Sequence, residues 1–232
     1  MTKAKLTRRK LLAVTCGTMG VSLLSAARSP LRAARGQSLM WIQGQFKPTM
    51  TTLFWVGEQS DAENAFIPND ASYWDASWQS SFGGVDHPFE RNGHWPAGFT
   101  PKENPFYVAL PYGEFEEDNS LKHAARSVPW YRPGVSPLLK NRWVEIRRGE
   151  QSCFAQWEDV GPCNEDDFDY VFGEAATPLN SFDAKAGLDV SPAVWHHLGM
   201  TDNGITSWRF VDASDVPEGP WTEIVTRSDN NR

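Results

Sequence analysis

Apolar and polar positions along the chain predict short strands separated by long polar stretches. Residues 51–57 read as a first strand, rich in β-formers from Thr51 to Val56 and closed by Gly57. Residues 106–112 are a second, ended by Pro111 and Gly113. Residues 142–146 and 153–159 alternate around a turn at Arg148, Gly149 and Glu150 in the manner of a hairpin, each strand burying one face. Residues 205–211 form a closing strand. Ser191 as N-cap, Pro192 at the first helical position and Gly199 just past the end bracket one short helix.

The intervening stretches have a different composition. Residues 58–101 are rich in Asn, Asp, Ser, Gly and Pro and read as a long insertion, with one short helix around residues 75–82. An acidic, helix-compatible run covers residues 114–126, a Pro-rich loop residues 129–137, and a second acidic insertion residues 164–186. Short strands with one or two brief helices argue for a mainly β chain closed into a barrel rather than a doubly wound sheet. One domain is expected over residues 36–222, its insertions at about 58–101 and 164–186, followed by a frayed acidic-polar tail at 223–232.

The amino terminus changes the picture of where the chain works. Its first 35 residues hold eight basic side chains and no acid, and Arg8-Arg9-Lys10-Leu11-Leu12 resembles a twin-arginine export motif ahead of a weakly apolar stretch. That stretch is too short and polar to stay in a bilayer, so residues 1–35 are expected to be an export signal and linker, processed near residues 25–27 or 32–34. The expected location is periplasmic or extracellular. The whole chain carries a net charge of -7; without residues 1–35, 14 basic residues face 29 acids, about -15. Such a chain repels nucleic acid and anionic membranes, while neutral glycans remain suitable partners. Export permits a disulfide, and Cys153 and Cys163 are the pair available to form one in the exported part. Spacing does not decide whether they do.

A family resemblance rests on three segments in order. They are Trp157-Glu158-Asp159-Val160-Gly161-Pro162, then Gly187-Leu188-Asp189-Val190-Ser191-Pro192-Ala193 with Leu198-Gly199, then Trp208-Arg209-Phe210-Val211. Together they resemble the core of the double-psi β-barrel family, which includes rare-lipoprotein-A-like proteins, bacterial expansins and barwin-like proteins. The resemblance covers about 90 residues and implies a six-stranded double-psi β-barrel with both insertions outside it.

It also implies chemistry. Asp159 and Asp189 stand where the family gathers acids in a polysaccharide groove. Breaking a glycosidic bond needs a carboxyl group that can protonate the leaving oxygen, and hydrolysis normally wants a second carboxylate. The resemblance therefore makes Asp189 the principal acid and Asp159 its partner, in a lytic-transglycosylase-like or glycosidase-like enzyme or an expansin-like loosening protein. Asp and Asn are also default turn residues, so purely structural roles for both, in a non-catalytic scaffold that binds glycan or protein, stay open. Rare-lipoprotein-A-like enzymes carry a His just before the Leu-Pro of their earlier strand, where this chain has Tyr107-Val108-Ala109.

Eleven Trp residues suit sugar stacking. Trp143, Trp157 and Trp208, in strands, read as core, whereas Trp74, Trp78, Trp95 and Trp130, in polar loops, are rim candidates. Tyr107, Trp95 and Trp130 are the residues expected to contact substrate. No cofactor is implied, for there is no nucleotide-binding Gly-rich loop. No metal is implied either. His196 and His197 face about 100° apart on a helix, and the acidic run from Asn164 to Asp169 lacks the Gly and terminal Glu of a calcium loop.

Overall fold

The computed structural model describes residues 44–227 apart from 63, 65 and 183. The export signal expected at residues 1–35 lies outside the described residues. Among the described residues eight strands form: β1 (Lys47–Leu53), β2 (Arg91–Asn92), β3 (Trp95–Pro96), β4 (Tyr107–Leu110), β5 (Arg142–Arg148), β6 (Gln151–Val160), β7 (Leu188–Val190) and β8 (Gly204–Val211). The three α-helices among these residues are brief: α1 (Trp78–Phe82), α2 (Phe168–Val171) and α3 (Pro192–His197). The described part of the chain is mainly β with only short helices, as its pattern predicts.

Six strands close into a barrel in the order β1-β7-β4-β6-β5-β8, and β8 returns to β1. β1 runs parallel to β7 and β4 parallel to β6; the other four pairings are antiparallel. This mixed, crossed-over order is compatible with a double-psi barrel. The expected first, middle and last strands all share the one closed sheet.

Strand alternation separates two faces. Val108 and Leu110, Leu188 and Val190, Val144 and Ile146, and Trp208 and Phe210 belong to the main core inside the barrel. Trp143, Trp157 and Trp208 are buried in it, as the strand pattern predicts. On the outer face, Tyr107 and Ala109 join Phe54, Val56, Trp78 and Phe82 in a second apolar cluster. The first insertion is thus a layer laid over the outside of β1 and β4, not a loop hanging in solvent. Its anchors are Trp78 and Phe82, one helical turn apart at i and i+4 on α1.

Several boundaries differ from the sequence expectation. β1 begins at Lys47, four residues early, because residues 47–51 pair with β8 before the β7 pairing begins at Thr51. The acidic run at 114–126 contains only a 3₁₀ turn, Ala124–Ser127. Glu114, inside that run, is instead buried and accepts hydrogen bonds from Trp74 Nε1 and the Leu138 amide. The chain does not fray directly after Thr222: the Thr226 hydroxyl accepts from the Asn104 amide, and its carbonyl accepts from Gln156 Nε2. Residues 228–232 lie outside the described residues. Cys153 is a free, fully buried thiol, so the Cys153–Cys163 bridge is not formed. Its side chain points into the barrel core instead, among the apolar residues of that cluster.

Candidate functional site

The barrel brings the two predicted acids to either side of one residue. Ala109 on β4 pairs with Asp159 on β6 and with Asp189 on β7. Directly paired residues share a sheet face, so all three point outward, and the acids stand two strand spacings apart, about 10 Å between Cα atoms. A β-bulge makes this possible. The β4–β6 register shifts between Val108 and Ala109, skipping Glu158. Without the extra residue, Glu158 would face Ala109 and Asp159 would turn inward.

The environments of the two acids then diverge. Asp159 is fully buried, and its Oδ1 accepts from the Tyr73 amide at 2.8 Å and from the Val160 amide at 2.8 Å. Tyr73 belongs to the first insertion, so Asp159 ties that layer to the barrel. Asp189 is 8% exposed and accepts a hydrogen bond from the Thr52 hydroxyl on the paired strand β1. It lines a cavity of about 470 Å³, whereas Asp159 does not.

Both insertions build the walls of that cavity. The end of β1 and the residues after it supply Thr52 and Trp55, and the first insertion supplies Glu58, Asp61 and Asn69. Phe182, from the second insertion, and Asn203, before β8, close the opposite side. Glu58 and Asn69 are locked to one another. The Gly57 amide donates to the Asn69 carbonyl, the Asn69 amide to the Glu58 carbonyl, and Asn69 Nδ2 to Glu58 Oε2 at 2.6 Å. The left-handed φ of Gly57, +79°, makes this tight return of the chain possible, and a Cβ there would meet Val85 at 2.8 Å. Three aromatic residues, Phe54, Trp55 and Phe182, with several amides and three carboxylates around a space of this size are equipment for a polar ligand with a ring face.

The three expected contact aromatics lie elsewhere. Tyr107 is fully buried, its ring edge-on to Phe54, Trp78 and Phe82. Its hydroxyl donates to Asp86 Oδ2 at 2.9 Å and accepts from the Val56 amide at 3.0 Å, which leaves no surface for a ligand. Burial is also the main reason the Asp86 carboxyl is pushed up to about 6, even with the Arg91 guanidinium beside it. Trp130 is half-buried, packed against Phe210 and Phe172 with the Arg142 guanidinium over its ring. It lines a separate cavity of about 210 Å³. Trp95 sits in the small β2–β3 hairpin and does not line the Asp189 cavity. Of the other loop tryptophans, Trp78 is buried and Trp74 packs edge-on against Trp157.

Sequence reasoning missed Trp55, Glu58 and Asn69 as site residues. Trp55 reads as an ordinary strand aromatic inside the 51–57 run, and nothing in the sequence marks that β1 ends before it, at Leu53. Nothing in the spacing of Glu58 and Asn69 announces their pairing. Among the described residues no group of three or more His, Cys, Asp or Glu side chains is arranged to hold a metal ion. No helix among them is long and apolar enough to cross a membrane. Compared with known proteins, the chain matches no family model and no curated protein.

Proposed function

We propose that this protein is an exported, envelope-associated member of the double-psi barrel group that binds a polysaccharide in the Asp189 cavity. It acts on that polysaccharide weakly, by proton donation or by loosening its packing. The observation that carries this reading is the placement of Asp189. A carboxylate fixed by Thr52 lines a space with an aromatic ring and amide groups, which is the minimum equipment for holding a sugar and presenting an acid to it. Asp189 is the acid in this reading. Asp159 is a positioning residue that holds the first insertion in place and so shapes the cavity wall. If a second carboxylate takes part, Glu58 and Asp61 are the ones lining the same space.

A second reading, that of a non-catalytic glycan-binding scaffold, is favoured by one observation: both amides on Asp159 Oδ1 hold it in a structural role, removing the predicted catalytic partner. The variant Asp189→Asn keeps the acceptor for Thr52 and loses only the ionisable group. Incubated with cell-wall sacculi and with plant glucans, the parent is expected to release soluble fragments or weaken the polymer, and D189N to lose at least tenfold of that effect while still binding. Equal activity in the two would leave the scaffold reading standing. Absence of binding by the parent to any polysaccharide would remove both.

A further inference from the structure

Residues 85–89 alternate between outside and inside without belonging to a strand. Val85 is 38% exposed and Phe89 86%, the most exposed large apolar side chain among the described residues, with His87 half-buried between them. Asp86 and Pro88, the alternate positions, are buried and fastened from beneath. The Asp86 carboxylate accepts from the Tyr107 hydroxyl at 2.9 Å and from Arg91, and its amide donates to the Val56 carbonyl at 2.9 Å. The Pro88 carbonyl accepts from His196 Nε2 at 2.9 Å. The outward row is thus displayed by a backbone tied to β4 through Tyr107 and to α3 through His196, so little further freedom is lost when a ligand meets it. A phenyl ring held in water by so fixed a backbone forgoes the burial its size would otherwise give, which marks a contact surface.

This row joins the Asp189 cavity. Trp55 lines the cavity, its ring lies 6.0 Å from that of His87 between centroids, and the His87 ring lies 5.8 Å from that of Phe89. Each step is of the order of one pyranose unit in a chain. The Phe89 amide donates to His87 Nδ1 at 3.3 Å, which leaves Nε2 to carry the ring proton and to donate. Ring faces with an N–H donor among them match the apolar faces and oxygens of sugar units.

The tilt of the rings narrows the class of occupant. Trp55 and His87 are turned 66° apart, and His87 and Phe89 60°. A flat crystalline sheet of chains therefore cannot stack on two neighbouring rings at once, whereas a single chain that twists from unit to unit meets each in turn. Three side chains also fall far short of the roughly 800 Å² per partner that a stable protein interface buries.

We infer, on the polysaccharide reading proposed above, that Trp55, His87 and Phe89 extend the Asp189 cavity into a row of subsites for a single, twisting glycan chain. One unit occupies the cavity and the following ones run outward over the three rings. Calorimetric titration of the full chain with the disaccharide and the hexasaccharide of the cello- and chito-oligosaccharide series tests it. The hexasaccharide of the series that binds is expected to bind about tenfold tighter than its disaccharide, which fills the cavity alone. Phe89→Ala should remove most of that gain and leave disaccharide affinity unchanged, and Phe89→Tyr, which keeps the ring, should retain it. Circular dichroism checks the fold; should F89A fail to fold, Phe89→Leu takes its place against Phe89→Tyr. Binding to sacculi should weaken several-fold in F89A, and adsorption to crystalline cellulose should not change. Equal affinity for short and long oligomers, a gain and sacculus binding that survive F89A, or cellulose adsorption that depends on Phe89 overturns this inference and leaves the cavity as a glycan site. Self-association lost in F89A, seen by sedimentation, with the gain intact makes the row a contact between copies and overturns it too. No binding of any oligomer or of sacculi by the parent overturns both this inference and the polysaccharide reading.

Discussion

Asp159 and Asp189 show how far one side chain's role depends on what its neighbours donate. Two buried main-chain amides close on Asp159, and truncating it strands both. Asp159→Ala is expected to cost about 3 kcal/mol, from two buried donors left unmet at roughly 1–3 kcal/mol each. Urea unfolding measures it, and a loss below about 1 kcal/mol would mean that the tie to Tyr73 contributes little. The sequence ranks Asp189 ahead of Asp159 but leaves a structural role open for both, because Asp before a turn is a ligand, a catalyst or a bracket according to which backbone passes overhead. Tyr107 was misjudged for the same reason: β4 was legible, but the layer that covers its outer face comes from a segment 25 to 50 residues earlier whose packing has no periodic signature. Trp55 was hidden in the opposite way, inside a run that reads as strand.

At the level of elements, the local grammar was reliable wherever stops were spelled out. Ser191, Pro192 and Gly199 delimit α3, and the Ser191 hydroxyl accepts from the Val194 amide, as an N-cap should. The same oxygen also accepts from the Tyr107 amide on β4 at 3.3 Å. Ser191→Ala is therefore expected to cost more than an ordinary cap, about 2 kcal/mol, because a strand amide is orphaned along with a helix amide. Thermal unfolding against the parent checks this, and a cost under about 0.5 kcal/mol would show that the second bond is immaterial. The bulge at Glu158 was not legible, since Trp157-Glu158-Asp159 reads as plain alternation. It became visible only through the partner strand, where Ala109 skips from Trp157's neighbour to Asp159. β2 and β3, two residues each, lie below what any pattern resolves.

For the whole molecule, burial sets the ionisation of a group of interior acids. Desolvation raises the carboxyls of Glu103, Glu114, Asp167 and Asp86, the last to about 6, and pushes Glu158 well above the usual range. An acid whose pKa is higher folded than unfolded stabilises the fold below its unfolded pKa, near 4, and that contribution is lost as pH rises through the folded value. His94 acts in the other direction: burial and the nearby His197 lower it, so its share is lost as pH falls below its unfolded value near 6.5. With five carboxyls against one imidazole, the unfolding midpoint is expected to fall as pH rises from about 4 to about 7. Glu158→Gln should flatten that slope and raise the midpoint at neutral pH. A midpoint that climbs steadily across this range would contradict it. The barrel order itself was legible only as a class, because strand lengths and turns specify short β segments but not which distant segments meet.

Ring closure has a further consequence for a protein expected to act outside the cell. Each of the six barrel strands is flanked on both sides by another, so the sheet offers no open rim of main-chain donors and acceptors on which a second copy could add itself. Crowding at a surface or partial drying should then leave the barrels of such molecules as separate units, since among the described strands only the two-residue β2 and β3 keep an open edge.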